Sequence, residues 1–234
     1  ILLEPFYDGY PAGLALAGAV PRYLTLRFPD FAVDLDALRR LITPRTRLLV
    51  LNTPHNPTGK VFTRVELEGI AALCQEHDLR VLADEVYEHL TYDDAVHLPI
   101  ASLPGMRDRT LTLSSTGKTF SFTGWKIGWA AGPRDMVDAT QAAHQYLTFA
   151  SATPLQVAMA HALEHYTGGY LTDLRREYGE RRALLLEALR AAGFAVAVPR
   201  GTYFVMADFR RVFDGDDRAF VRWLVTEHGV AAIP

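Results

Sequence analysis

Two apolar runs joined by an amphipathic stretch constrain the fold of this chain more than any other feature. Residues 47–52, Arg-Leu-Leu-Val-Leu-Asn, have the length and character of a buried strand. The turn Thr53-Pro54-His55-Asn56-Pro57-Thr58-Gly59-Lys60 follows, so a side-chain amide is held at a strand's carboxyl end. Thr63-Arg64-Val65-Glu66 then reads as a capping box, opening a helix to about Asp78 with Val65, Leu67, Ile70, Leu73 and Cys74 on its inner side. Arg80-Val81-Leu82-Ala83 gives a second strand and runs directly into Asp84-Glu85-Val86-Tyr87. Strand, helix and strand in that order predict an α/β fold with a mainly parallel sheet flanked by helices. In open sheets of this kind ligands bind at the carboxyl ends of the strands, where Asp84 and Tyr87 fall.

A second segment carries the chemistry. Residues 114–126, Ser-Ser-Thr-Gly-Lys-Thr-Phe-Ser-Phe-Thr-Gly-Trp-Lys, set Lys118 and Lys126 among glycines and hydroxyl groups. Such a loop lets backbone amides and hydroxyls approach a phosphate, and an uncrowded lysine can form a Schiff base with a carbonyl. Gly117-Lys118-Thr119 imitates the end of a Walker A loop, but that pattern needs a glycine where Thr112 stands. Ser115-x-x-Lys118 fits the S-x-x-K of penicillin-binding enzymes, yet neither partner motif of that chemistry is present.

The joint pattern EPFYDGY (4–10), NTPHNPTGKVF (52–62), DEVYEHL (84–90), SSTGKTFSFTGWKIGWAAGP (114–133) and GTYF (201–204) resembles the fold-type I, pyridoxal-phosphate-dependent aminotransferases of class I/II. Within that family it is most similar to the branch of kynurenine, methionine, glutamine-phenylpyruvate and succinyldiaminopimelate aminotransferases. The resemblance implies pyridoxal 5'-phosphate as cofactor and ping-pong transfer of an amino group between an amino acid and a 2-oxo acid. It makes Lys118 the Schiff-base lysine and proton carrier, and Asp84 the partner of the pyridine nitrogen, favouring the protonated ring. Asn56 and Tyr87 are implied donors to the ring's phenolic oxygen, Tyr7 stacks on the ring face, and Ser115 with Lys126 holds the phosphate. Phe149, in Gln145-Tyr146-Leu147-Thr148-Phe149, is the implied aromatic in the substrate pocket of the partner subunit, making a homodimer the expected assembly. Trp125, Trp129, Phe120 and Phe122 read as core packing.

The same resemblance makes the sequence look like a fragment lacking both ends. An upstream glycine/alanine phosphate loop and a downstream arginine that clamps the substrate carboxylate are expected outside residues 1–234. Two alternatives share every cofactor contact: a carbon-sulfur β-lyase, and a non-catalytic fragment or regulatory domain that keeps the pocket.

Residues 1–165 read as the cofactor-binding large domain and 166–234 as a linking helix and part of a small α/β domain. An apolar stripe of Leu171, Leu174, Tyr178 and Leu185 marks a long helix over 172–189, stopped by Gly193. Residues 194–198, 202–207 and 230–233 read as strands and 216–228 as a helix. His161-Ala162-Leu163-Glu164-His165 matches the H-x-x-E-H of inverzincins, with Glu227 as a conceivable third ligand, but it lies on an alanine-rich helix over 154–166 and reads as a surface stripe, with no metal expected. A hydrophobic content of 49% suits a large core, and a formal net charge of −3 with scattered basic residues gives no nucleic-acid footprint. No apolar run reaches membrane-spanning length, and a lone Cys74 gives no disulfide framework, so the cytoplasm is the expected location.

Overall fold

The computed structural model describes residues 1–234. Six strands form one sheet in the order β2-β1-β3-β4-β5-β6: β1 (Leu2–Glu4), β2 (Tyr23–Thr25), β3 (Leu48–Asn52), β4 (Arg80–Asp84), β5 (Thr110–Ser115) and β6 (Gly128–Ala131). The first five run parallel, and β6 returns antiparallel to β5 at the edge. Helices α1 (Gly9–Leu16), α2 (Leu35–Leu41) and α3 (Arg64–Glu76) provide the crossovers, and the short α4 (Thr116–Thr119) leaves the end of β5.

The α3 start is built as its sequence requires. Thr63 Oγ1 accepts from the Glu66 amide at 3.2 Å and Glu66 Oε2 accepts from the Thr63 amide at 2.9 Å, closing both halves of the capping box. Leu67, Ile70, Ala71, Leu73 and Cys74 are buried, in a core they share with Leu49, Leu51, Val81 and Ala83 of the sheet. Val65 departs from expectation: it is 74% exposed. Two residues along a helix rotate the side chain by about 200°, so Val65 points away from the face that carries Leu67.

Helices α5 (Arg134–Leu147), α6 (Thr153–His165) and the 25-residue α7 (Thr167–Ala191) follow. The end of α7 is a Schellman motif, in which the Gly193 amide donates to Arg190 and the Phe194 amide to Leu189, with Gly193 at φ +89°. A second, two-stranded antiparallel sheet pairs β7 (Ala195–Ala197) with β8 (Met206–Asp208), and α8 (Asp217–His228) follows it. Asp216 caps α8 by accepting from the Ala219 amide.

Three expectations need correction here. Residues 202–205 are a loop, because Thr202 adopts φ +61° and its amide donates to the Leu90 carbonyl instead of a sheet partner. Residues 230–233 form no strand; nothing pairs with them, and Ile233 is 85% exposed. Phe120 is buried and stacks on Tyr170. Phe122 and Trp129, however, are 41% and 39% exposed, because one follows the short α4 and the other lies on the edge strand.

Leu67→Ala is expected to cost about 2–5 kcal/mol in denaturant unfolding, since a fully enclosed side chain leaves a cavity. Val65→Ala, two residues away, should stay within about 0.5 kcal/mol of the parent protein.

Candidate functional site

Parallel pairing in register brings three strand ends together. Asn52 lies opposite Asp84 across β3 and β4, and Asp84 lies opposite Leu113 across β4 and β5, just before Ser115. Asn52, buried at the end of β3, joins two of these elements. Its Nδ2 donates to the Asp84 carbonyl at 2.8 Å and its Oδ1 accepts from the Asn56 amide at 2.6 Å, fixing the turn that carries Asn56. The same turn is anchored by buried His55, whose Nδ1 lies 2.7 Å from Thr58 Oγ1. Burial, with the charge of Lys60, pushes His55 down to about 4, so the ring stays neutral. The Asn56 side-chain amide makes no hydrogen bond within the chain and lines the cavity.

Asp84 is the only carboxylate lining that cavity. Its Oδ2 accepts from the Tyr10 hydroxyl at 2.6 Å and its Oδ1 from the Val86 amide at 3.3 Å. Burial pushes its carboxyl group up from the usual range, while Tyr10, the Val86 amide and the charge of Lys118 pull it back. Burial also raises the phenols of Tyr10 and Tyr87 above their ordinary value, keeping both protonated as donors. Tyr87 itself is 2% exposed.

The next residue, Glu85, points the other way. Its Oε2 lies 2.9 Å from His97 Nε2 in a pair with side chains 2% and 8% exposed, while Glu88 accepts from Ser114 Oγ at 2.6 Å. Removing either member of the Glu85–His97 pair would leave the other buried without a partner.

Lys118 emerges from α4 with its Nζ donating to the Tyr203 hydroxyl at 3.1 Å and lying 5.8 Å and 5.7 Å from the ring centres of Tyr87 and Tyr203. Gly117 beside it packs closely: a Cβ there would come within 3.1 Å of Thr123 Cα, tighter than ordinary contact. Lys126 sits at φ +57° after a short 3-10 turn, and neither lysine forms an ion pair. Ser115 precedes α4 without using its hydroxyl as a cap.

The expected residues Tyr7, Asn56, Asp84, Tyr87, Ser115, Lys118 and Lys126 therefore line one cavity of about 390 Å³. Tyr7 is half-exposed there, its ring edge-on to Tyr10 at 5.6 Å. Phe149 is not among them; it lies between α5 and α6 at φ +68° and is 82% exposed. Tyr10, Asn52 and Tyr203 reach the site without having been singled out as site residues. Asn52 and Tyr203 fall inside the matching stretches NTPHNPTGKVF and GTYF, and Tyr10 ends EPFYDGY, so position in a motif was the available signal. A larger cavity of about 580 Å³ lies beside Lys60, Arg64 and Arg200. Those cations are already paired, with Glu66, Glu68 and Asp94, and the strand ends do not converge there.

The charges and hydrogen-bonding groups of the smaller cavity fit pyridoxal phosphate. A half-buried carboxylate suits a protonated pyridine nitrogen, a lysine and a hydroxyl without protein partners suit a phosphate, and a second lysine suits the aldehyde. His161 and His165 are arranged otherwise: their rings stack at 4.1 Å on an exposed helix face, and no three His, Cys, Asp or Glu residues are grouped as a metal would require.

Comparison with known proteins identifies the family. The sequence profile "Aminotransferase class I and II" matches residues 1–234. A probable N-succinyldiaminopimelate aminotransferase of Mycobacterium tuberculosis is 47% identical over 100% of this chain and 59% of its own length. A kynurenine–oxoglutarate transaminase of Dictyostelium discoideum is 38% identical over 100% of this chain and 62% of its own. The solved N-succinyldiaminopimelate aminotransferase from M. tuberculosis superposes with a TM-score of 0.96, over 100% of this chain and 61% of that one. A methionine aminotransferase from Escherichia coli superposes with a TM-score of 0.93 at 36% identity, over 100% of this chain and 61% of that one. The chain thus spans about three-fifths of the length of these relatives.

Asp84 gives a pH signature whose sign can be worked out. Its folded value lies above its unfolded one, so the folded protein holds the proton more tightly, and stability falls as pH rises from the ordinary carboxylate range through the folded value. Asp84→Asn should remove that fall from the cofactor-free protein in denaturation series across acidic to neutral pH. Tyr10→Phe removes a bond to the ionised form, and should move the Asp84 midpoint further up when the carboxyl carbon is followed by NMR.

Proposed function

The chain belongs to the class I and II aminotransferases, and on that premise we propose that the protein moves an amino group between an amino acid and a 2-oxo acid by a ping-pong mechanism. One observation carries the reading: Lys118, Asp84, Asn56, Tyr87, Ser115 and Lys126, drawn from separate segments of the sequence, line the same cavity. The family depends on pyridoxal phosphate, which when bound supplies an electron sink for the pair left at the substrate Cα.

The residues of this chain divide the remaining work. Asp84 would face the ring nitrogen and hold its proton, with Tyr10 donating to the carboxylate and favouring its ionised form. Asn56 and Tyr87 would donate to the ring's phenolic oxygen, Tyr7 would cover the ring face, and Ser115 with Lys126 would anchor the phosphate. Lys118 would hold the cofactor at its aldehyde and, as a free amine, would be the group placed to carry a proton at the substrate Cα. We read residues 1–165 as the cofactor-holding domain, and 166–234 as a linking helix and part of a second domain.

The same proposal includes a cytoplasmic homodimer in which Phe149 lines the partner's substrate pocket. Two observations support it: α5 has no buried residue, and Tyr146, Leu147 and Phe149 are 86%, 80% and 82% exposed at its end. No helix is long and apolar enough to cross a membrane.

Borohydride reduction of the full-length, cofactor-loaded protein should fix the label on Lys118; a label on Lys126 or Lys60 overturns the assignment. Asp84→Asn should lower turnover about a hundredfold or more while phosphate anchoring persists, the scale of losing a central electrostatic group. Phe149→Ala should change amino-acid preference more than cofactor affinity, with sedimentation reporting a dimer for the parent protein.

A further inference from the structure

A loop outside the six-stranded sheet delivers Tyr203 to Lys118, and it is held with unusual firmness. The Gly59 carbonyl accepts from the amides of both Arg200 and Gly201 at 2.8 Å. Gly59 has φ +69°, and a Cβ on it would come within 2.2 Å of Pro199. Thr202 is fully buried at φ +61°, a conformation that favours glycine. Three groups hold it there: the Leu90 carbonyl accepts from its amide at 3.0 Å, Tyr92 donates to its carbonyl at 2.5 Å, and its Oγ1 accepts from the Phe204 amide at 3.2 Å. Backbone strain that several bonds maintain marks a segment whose side chains are being aimed. The residue aimed is Tyr203, whose ring stacks on Tyr178 of α7 with centroids 5.8 Å apart.

The Tyr203 oxygen accepts from Lys118 Nζ at 3.1 Å and from the Tyr87 hydroxyl at 3.4 Å. The ammonium has no carboxylate partner and lies between two phenol rings, an arrangement that attracts a cation. A lysine that bonds to a cofactor in one part of a catalytic cycle is a free amine in the other. Its four-carbon stem then has many rotamers, while the proton must be taken from one atom. We propose that Tyr203 is a positioning residue: it holds the free amine of Lys118 at the cavity during the part of the cycle in which substrate has displaced it. This rests on the reading of Lys118 as the cofactor-bonding lysine and adds to it a residue that acts through Lys118.

The test uses Tyr203→Phe in the full-length protein. The substrate half-reaction, followed in a single turnover, is expected to slow about threefold to tenfold, the range set by one hydrogen bond between neutral groups. The α-deuterium isotope effect should rise as proton transfer becomes slower, and cofactor affinity by fluorescence titration should stay within about twofold of the parent. In the cofactor-free protein, reductively ¹³C-methylated Lys118 should show a ring-current-shifted resonance that moves towards the free-lysine position in Tyr203→Phe. In a Lys118→Ala background rescued by an added primary amine, Tyr203→Phe should have no further effect.

An equal loss in that rescued background overturns the inference, as does an unchanged rate and isotope effect. A fall in cofactor affinity or melting temperature large enough to explain the rate does so too, because the role is then structural. Borohydride label on Lys118 together with any of these results sinks Tyr203 alone; absence of the label from Lys118 in the parent protein sinks both readings.

Discussion

The half-buried carboxylate of Asp84 is the group on which the surrounding structure depends. A charge in that position is costly to bury, and it is supported from two sides at once. Tyr10 of α1 donates to one carboxylate oxygen and the Val86 amide to the other, while Asn52 and the Thr53 amide both donate to the residue's carbonyl. Of these donors Val86 is local and Tyr10 comes from α1, while in-register parallel pairing of β3 with β4 brings up Asn52 and Thr53. Sheet register and site electrostatics are therefore one constraint.

Much of this was legible beforehand, and the reasons are local. The strand ending at Asn52, the capping box at Thr63 and the strand running into Asp84 are all set by short-range patterning, and each formed within a residue or two of expectation. What was not legible depended on tertiary geometry. Residues 202–205 have strand-like composition, but long-range bonds to Leu90 and Tyr92 bend them into a loop. Phe122 and Trp129 look like core residues until the edge position of β6 exposes the second of them. Tyr10 lies in a matching motif, but nothing local shows that its hydroxyl reaches a carboxylate 74 positions away.

Aromatic residues join the two sheets. Tyr87 follows the main sheet and Tyr203 precedes β8, and their rings meet edge to face at 5.3 Å, with Phe204 and Tyr178 packed against them. Large rigid rings carry few rotatable bonds, so a cavity wall built from them keeps its shape at small entropic cost. Because the Lys118 ammonium rests against two of those rings, the wall is also part of the site's electrostatics.

The alternation of Asp84 and Glu85 at the end of β4 bears on how the chain avoids misfolding. A strand that slips by one residue turns every side chain to the opposite face. Here such a slip would offer a carboxylate to the cavity all the same, and charge alone would not distinguish the two states. His97 does distinguish them: its ring is buried beside Glu85, and the one-methylene-shorter aspartate would have to span that gap in the slipped chain. The histidine on the far side of the sheet thus holds Glu85 away from the cavity and leaves Asp84 as the acid that faces it.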